Sequence, residues 1–313
     1  MSVINQLLIA LVNSVLGSGK STSRGNHAYQ CPFCHHHKPK MEINFTENAS
    51  GANPWHCWVC HKRGKYIAGL FRAIEAPEDK IIEAKQYIKG NINPNYIPKE
   101  SKDLKLPKEY IPLQNLSKNN IIAKHALHYL KKRGITKDDI LKYDIGYCEQ
   151  GKYQNMIIIP SYDENQKLNY FIARNFNTNY KLKYKNPPAS KDIIPFELFI
   201  NFNSPLILCE GVFDAITIKR NAIPLLGKYC NKSLMRKIVT SKVKKIYIAL
   251  DSDAIKDSLK HCEQFMNEGK EVYLVELKQQ DPNELGFDKI TKLIQNTEPL
   301  SYSSLLKKKI LSV

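Results

Sequence analysis

The sequence predicts an α/β multidomain protein, in which a cysteine-rich N-terminal module precedes a core built from a mixed basic subdomain and a Rossmann-like parallel sheet. Three observations predict it. Two Cys-x-x-Cys pairs fall between residues 31 and 60, and beyond Pro205 β-rich runs alternate with helical ones. Between these regions lies a stretch of Lys and Asn punctuated by Pro94, Pro98, Pro107 and Pro112, a composition that suits a tether better than a core. Boundaries are therefore expected at 1–75, 76–118, 119–203 and 204–313. With 313 residues and 42% hydrophobic content the chain can bury a sizeable core, so a disordered or fibrous protein is excluded.

A net charge of +17 makes a field that attracts polyanions, either nucleic acid or an anionic membrane surface. The longest apolar run, Leu7 to Val12, is far short of the roughly 20 residues of a spanning helix, and no basic segment precedes it. The chain is expected in the cytoplasm, without a membrane partner. Eight cysteines in such a chain argue for thiols and metal rather than disulfides.

Residues 3 to 16 read as a short helix, with Leu7, Leu8, Leu11 and Leu16 at helical spacing. Another helix is expected near Glu78 to Ile88. From Asn119 a pattern of Ile122, Ala126 and Leu130 ends at Gly134, a residue suited to a left-handed cap. Thr136 then caps a second helix, with Ile135 and Ile140 placed for a hydrophobic staple. Strands are expected at Met156 to Pro160 and Leu168 to Arg174, joined through the turn Asp163, Glu164, Asn165. The parallel-sheet strands are expected at Leu206 to Cys209, Ile246 to Leu250 and Val272 to Leu277.

Cys31 and Cys34 form one knuckle, and Cys57 and Cys60 a second after a 22-residue excursion. Two such hairpins supply the four thiolates that tetrahedral zinc requires. His35, His36, His37, His56 and His61 crowd the same region and could replace a ligand, although outer positions suit them better. Trp55, Trp58 and Phe33 are expected to pack around the knuckles, or one of them to stack on a base. Gly17, Ser18, Gly19, Lys20, Ser21 imitates the end of a phosphate-binding loop. The first glycine of that motif would fall at Ser14, and a helix rather than a strand precedes the run.

Glu210 directly follows the first parallel strand, with Asp214 beginning a helix; Asp251 and Asp253 follow the second, and Asp281 lies beyond the third. Singly, Asp253 reads as a helix cap and Glu210 as an exposed turn. At successive strand ends they should converge in the crevice where open parallel sheets bind ligands, with extended backbone turning Asp251 and Asp253 to one side. Clustered carboxylates repel unless a cation compensates, and all-oxygen ligation favours magnesium or manganese. Such a site suits phosphoryl transfer. Cys209 reads as a small core residue.

The order of these motifs resembles the bacterial-type primases, and more closely the single-chain primases of T-even-type phages. The resemblance rests on the Cys31 to Cys60 ribbon with Asn53, Pro54, Trp55, His56, Cys57, Trp58. It continues through Tyr129 to Ile135, Gly146 and Tyr147, Lys183 and Tyr184, and Asn186 with Pro188. It closes on Glu210, Gly211, Asp214, Gly227, the Asp251/Asp253 pair, Asp281 and Pro282. It implies a Toprim polymerase joining ribonucleoside triphosphates on single-stranded DNA, with Glu210 as acid or base and Asp251, Asp253 and Asp281 holding magnesium. The ribbon would help to choose the start site. Departures are Asn155 and Met156 where a basic residue is usual, Ile255 for a glycine, and Asn283 for a second aspartate.

Between Lys152 and Lys191 seven basic side chains face two acidic ones, interleaved with aromatic residues such as Tyr153, Tyr170 and Tyr184. That mixture suits a groove that tracks a strand, or a solvated lysine face. Lys152, Arg174, Lys183, Lys185 and Asn186 are the expected template or triphosphate contacts. Few residues follow Asp281, so no helicase-docking domain is expected, and a separate replicative helicase would be the partner. Competing readings are a Toprim nuclease or recombination protein, and a non-catalytic zinc protein that binds single-stranded DNA.

Overall fold

The computed structural model describes residues 4–46, 51–87, 104–115 and 120–312. Helix α1 (Gln6–Leu16) is capped by Asn5, whose side chain accepts from Leu8 N. It buries Leu8, Ile9, Leu11 and Val12, while Leu7 faces solvent, so the apolar stripe sits one position away from the expected one. Five short strands follow, β1 (Lys20–Ser21), β2 (His27–Tyr29), β3 (Met41–Ile43), β4 (Trp55–Cys57) and β5 (Arg63–Gly64), pairing antiparallel in chain order. The phosphate-loop imitation is thus a helix end followed by an edge strand. Helices α2 (Ile67–Ala73) and α3 (Glu78–Lys85) complete the module. Ile88 and the prolines Pro94 and Pro98 lie outside the described residues.

The module has a core of its own, in which α1, the sheet, α2 and α3 enclose Tyr29, Met41, Phe45, Trp55 and Phe71. Trp55 stacks on Phe33 with centroids 5.8 Å apart. Trp58 corrects the sequence reading, since it is 51% exposed and packs in no core.

A second antiparallel sheet comprises β6 (Tyr110–Pro112), β7 (Gly146–Cys148), β8 (Met156–Tyr162) and β9 (Leu168–Asn175), in that order. Pro112, read from sequence as tether, belongs to the edge strand of this sheet, where a missing N–H costs little. Helices α4 (Ile121–Lys132) and α5 (Lys137–Lys142) connect β6 to β7. Gly134 takes φ +71° behind α4, and Thr136 forms a reciprocal capping box with Asp139. Ile135 and Ile140 are both buried in the same core.

The third sheet is parallel, with strands β10 (Leu206–Cys209), β11 (Ala222–Pro224), β12 (Lys245–Ala249) and β13 (Glu271–Leu274) ordered β11-β10-β12-β13. Helices α6 (Val212–Ile218), α7 (Lys232–Thr240) and α8 (Ile255–Asn267) make the crossovers, and α9 (Pro282–Gln295) and α10 (Tyr302–Leu311) follow. Alternation along the buried strands divides the packing by face. Ile207, Cys209 and Ala249 face α6 and α9 in a core shared with α4, α5 and the second sheet, whereas Leu206, Leu208, Ile246 and Ile248 face α7, α8 and α10. The last strand stops at Leu274, three residues short of the expected end. No helix among the described residues is long and apolar enough to cross a membrane.

The N-terminal module sits against the α8–β13 turn. Arg72 and Glu268 form an ion pair at 2.5 Å, both nearly buried, and Lys65 N donates to Asn267 O at 2.8 Å. Gly69 allows the approach, because a Cβ there would lie 2.9 Å from the Glu268 carbonyl oxygen.

Candidate active site and zinc centre

Each cysteine pair occupies one tight turn of the first module. His35 and His61, which directly follow the second cysteine of each pair, take left-handed backbone, and their amides donate to Cys31 O and Cys57 O. This matched geometry folds the knuckles toward each other. Cys31 Sγ lies 3.6 Å from Cys60 Sγ and Cys34 Sγ 3.8 Å from Cys57 Sγ, and all four sulfurs fall within 4.8 Å of one another. Four thiolates around tetrahedral zinc stand about 3.8 Å apart, given Zn–S bonds of about 2.3 Å, so the donor set fits that ion. A disulfide would need about 2.05 Å. None of the five neighbouring histidines enters the cluster.

The carboxylates owe their placement to the sheet. From adjacent strands β10 and β12 the chain departs in opposite directions, toward β11 and toward β13, which makes a topological switch point between them. Glu210 follows β10 and Asp251 follows β12. A carboxylate oxygen from each of Glu210, Asp251 and Asp253 lies within 4.8 Å of the others. Asp251 and Asp253 do not share a side through extended backbone, as expected from sequence; a 3-10 turn at Ser252–Ala254 follows Asp251 and brings Asp253 round. Asp253 caps no helix, since Ala254 stands at the start of α8.

Glu210 Oε2 and Asp251 Oδ1 are buried without any hydrogen-bond partner. Burial, and then the Asp251 charge, pushes the Glu210 carboxyl above its ordinary range. Burial followed by the Asp281 and Asp253 charges does the same to Asp251. Two orphaned oxygens among repelling carboxylates are what a hard divalent cation would satisfy, and the all-oxygen donors fit magnesium or manganese.

Asp214 and Asp281 stand differently. The Asp214 carboxylate accepts from Gly211 N at 2.9 Å and from Asn283 N at 3.2 Å, binding the start of α6 to the start of α9. Burial, with Asp281 and Asp251 nearby, raises its pKa to about 7. Asp281 lies outside the group of three and caps α9, accepting from Glu284 N at 2.7 Å. Asn283, where the resemblance would have an aspartate, donates to Arg133 O and Thr217 Oγ1, both at 2.8 Å. Cys209 is fully buried, and burial holds its thiol well above the usual range.

Sequence reasoning missed Lys228 and quoted Arg133 only within the Tyr129 to Ile135 motif, without a role. Lys228 Nζ lies 2.7 Å from Asp253 Oδ2, and Arg133 Nε donates to Tyr129 Oη at 2.9 Å. Arg174 Nε donates to the same hydroxyl at 2.8 Å, with its guanidinium 4.6 Å from the Tyr184 ring centroid. Two guanidiniums therefore converge on the Tyr129 hydroxyl, and that of Arg133 also donates to Asn283 Oδ1 at 3.0 Å. The other expected contacts lie on the turn before β8, Lys152, and on the loop after β9, Lys183, Lys185 and Asn186. Lys152 and Lys183 are exposed, Lys185 Nζ donates to Lys152 O, and Asn186 Oδ1 accepts from Ala173 N, pinning the loop to β9.

No family model matches the chain. Over 301 residues it is 23% identical to the DNA primase of Mycoplasma genitalium, covering 75% of this chain and 49% of that one. Over 245 residues it is also 23% identical to the DNA primase of Campylobacter jejuni, covering 63% and 40%. The chain thus spans about half or less of the curated relatives it matches. Among solved structures it superposes on the DnaG primase catalytic domain bound to single-stranded DNA with TM-score 0.53 and 17% identity, over 62% of this chain and 77% of that one. The zinc-binding and RNA polymerase domains of the Aquifex aeolicus primase superpose over 96% of this chain and 87% of that one, with TM-score 0.50 and 19% identity. The fold is therefore the mixed α/β architecture of those structures, a four-cysteine module joined to a core that contains a parallel sheet. Its relatives in sequence and structure are DNA primases of DnaG type.

Proposed function

We propose that this chain is a DNA primase that builds short RNA primers from ribonucleoside triphosphates on single-stranded DNA by metal-dependent nucleotidyl transfer in a Toprim-type domain. The observation that carries the reading is the convergence of Glu210, Asp251 and Asp253 at the switch point, with two orphaned oxygens. Magnesium held by these carboxylates would activate the attacking 3′-oxygen and stabilise the leaving pyrophosphate. Glu210, at the end of β10, would serve as the acid or base that handles the proton of that 3′-hydroxyl. Asp214 positions the motif by holding Gly211 and Asn283, and Asp281 lends charge from the crevice wall.

Arg174 and the lysines of the β9 loop line a path for template or triphosphate, and the net charge of +17 favours both anions. The ribbon would read the start site, with the division of labour following the boundaries at residues 75, 118 and 203. The resemblance to T-even-type primases supports a place at a phage replication fork in the bacterial cytoplasm, beside a separate helicase.

The test is primer synthesis by the purified chain with magnesium, ribonucleotides and single-stranded DNA. Short RNA is the expected product. Asp251→Asn should lower its yield at least a hundredfold while leaving DNA binding intact. Template degradation without RNA would replace the reading with the nuclease one.

A further inference from the structure

The carboxylate group already contains a cation of its own. Lys228 Nζ sits 2.7 Å from Asp253 Oδ2, and its charge also reaches Glu210 and Asp251. The contact is not a chance surface pairing, because the backbone on either side of the lysine is fixed. His261, buried on α8, donates Nε2–H to the Lys228 carbonyl at 2.8 Å, and the Gly227 amide points at the Glu210 carbonyl oxygen at 3.4 Å. The ammonium therefore enters the crevice from β11 and Asp253 from β12, so the pair closes one side of the switch point.

The distribution of partners within the group is uneven. Asp253 has its ammonium and is 72% exposed, whereas the orphaned oxygens belong to Glu210 and Asp251 on the buried side. Three carboxylates against one ammonium leave two negative charges, which a single divalent ion at Glu210 and Asp251 cancels. A second ion at Asp253 would have to displace Lys228 and would meet its repulsion.

Resting on the primase reading, we propose that Lys228 is the resident counterpart of a second metal ion: it neutralises Asp253 in the free protein and turns to the phosphates when a nucleoside triphosphate arrives. An ammonium on a four-carbon stem can exchange a carboxylate for a phosphate oxygen by rotation about its side-chain bonds. The site then needs one exchangeable divalent ion, and Asp253 becomes a full ligand only after the lysine has left it.

The experiment compares wild type, Lys228→Met and Lys228→Arg as full-length, zinc-loaded protein. Manganese binding is followed by electron paramagnetic resonance, and a fluorescent non-hydrolysable ATP analogue is titrated at saturating manganese. Lys228→Met keeps the stem and removes the charge, and unchanged zinc content and melting show that it folds. The expected result is one manganese site in wild type, about tenfold tighter manganese binding in Lys228→Met because a repelling charge is gone, and about tenfold weaker analogue binding in the same variant. Lys228→Arg should restore analogue binding. Weaker manganese binding, or unchanged analogue affinity, in Lys228→Met overturns the proposal. These readouts need no catalysis. Absent RNA synthesis with the binding changes intact would defeat the primase reading alone, and RNA synthesis without them would defeat the role of Lys228 alone.

Discussion

The thiolate cluster and the carboxylate cluster assemble in opposite ways. The four cysteines come from two turns of one small meander, brought together by backbone hydrogen bonds within each knuckle and framed by Trp55 and Phe33. Glu210 and Asp251 instead come from strand ends some forty residues apart, and their proximity is set by the β10–β12 register of a sheet whose strands are buried on both faces. A cation would be part of the frame in the first case; in the second the frame stands on the sheet and bears the repulsion. Removing metal should therefore loosen one region and merely leave the other strained.

The largest effect should follow loss of zinc. Structural zinc contributes on the order of 10 kcal/mol to isolated fingers, so Cys57→Ser or chelation should melt the ribbon well below the core. Both tryptophans of the chain, Trp55 and Trp58, lie in this module, so tryptophan emission reads the ribbon while far-ultraviolet circular dichroism reads the whole. Coincident transitions by the two probes would break the contrast. Start-site choice should fail in this variant before extension of a preformed primer does.

Next comes the seam between the regions. Arg72→Met leaves Glu268 buried without its partner and should cost about 3–5 kcal/mol, a loss that Glu268→Leu in the same chain should largely recover. Urea melts of the single and double variants measure it.

The carboxylate region should reveal its strain through pH. With its folded pKa near 7 against about 3.8 unfolded, Asp214 binds a proton more tightly in the native state. Its contribution is complete below about pH 4 and disappears as pH rises through 7, so metal-free protein should lose a few kcal/mol across that window. Added magnesium should reduce the loss by screening Asp251 and Asp281, and a flat profile between pH 4 and 8 would contradict the account. The smallest effect belongs to Trp58→Ala. An exposed ring held by Glu42 at 3.0 Å should shift melting little, yet weaken single-stranded DNA binding by about 1–3 kcal/mol if a base stacks there.

Legibility in the sequence divided along the same line. Signals confined to a few consecutive residues survived intact: the paired Cys-x-x-Cys turns, the Thr136 cap, the left-handed Gly134, and the apolar runs of β10 and β12. What escaped depends on residues far apart in the chain. Nothing local marks Arg72 for Glu268, Arg133 for Asn283, or Lys228 for Asp253, because such pairings leave no period in the sequence. The Asp251/Asp253 pair was recognised for a mistaken reason, since a turn rather than a pleat unites them.

Helix α8 leaves the turn that carries Asp253 and ends at Asn267, the residue whose carbonyl receives the Lys65 amide of the ribbon. It is a strut of 13 residues, roughly 20 Å long, between the module that carries the thiols and the turn that carries Asp253. Each residue inserted or deleted in it would swing the attached ribbon through about 100° as well as sliding it about 1.5 Å. Its length can drift in evolution only by near-whole turns, which makes this helix the gauge of the molecule.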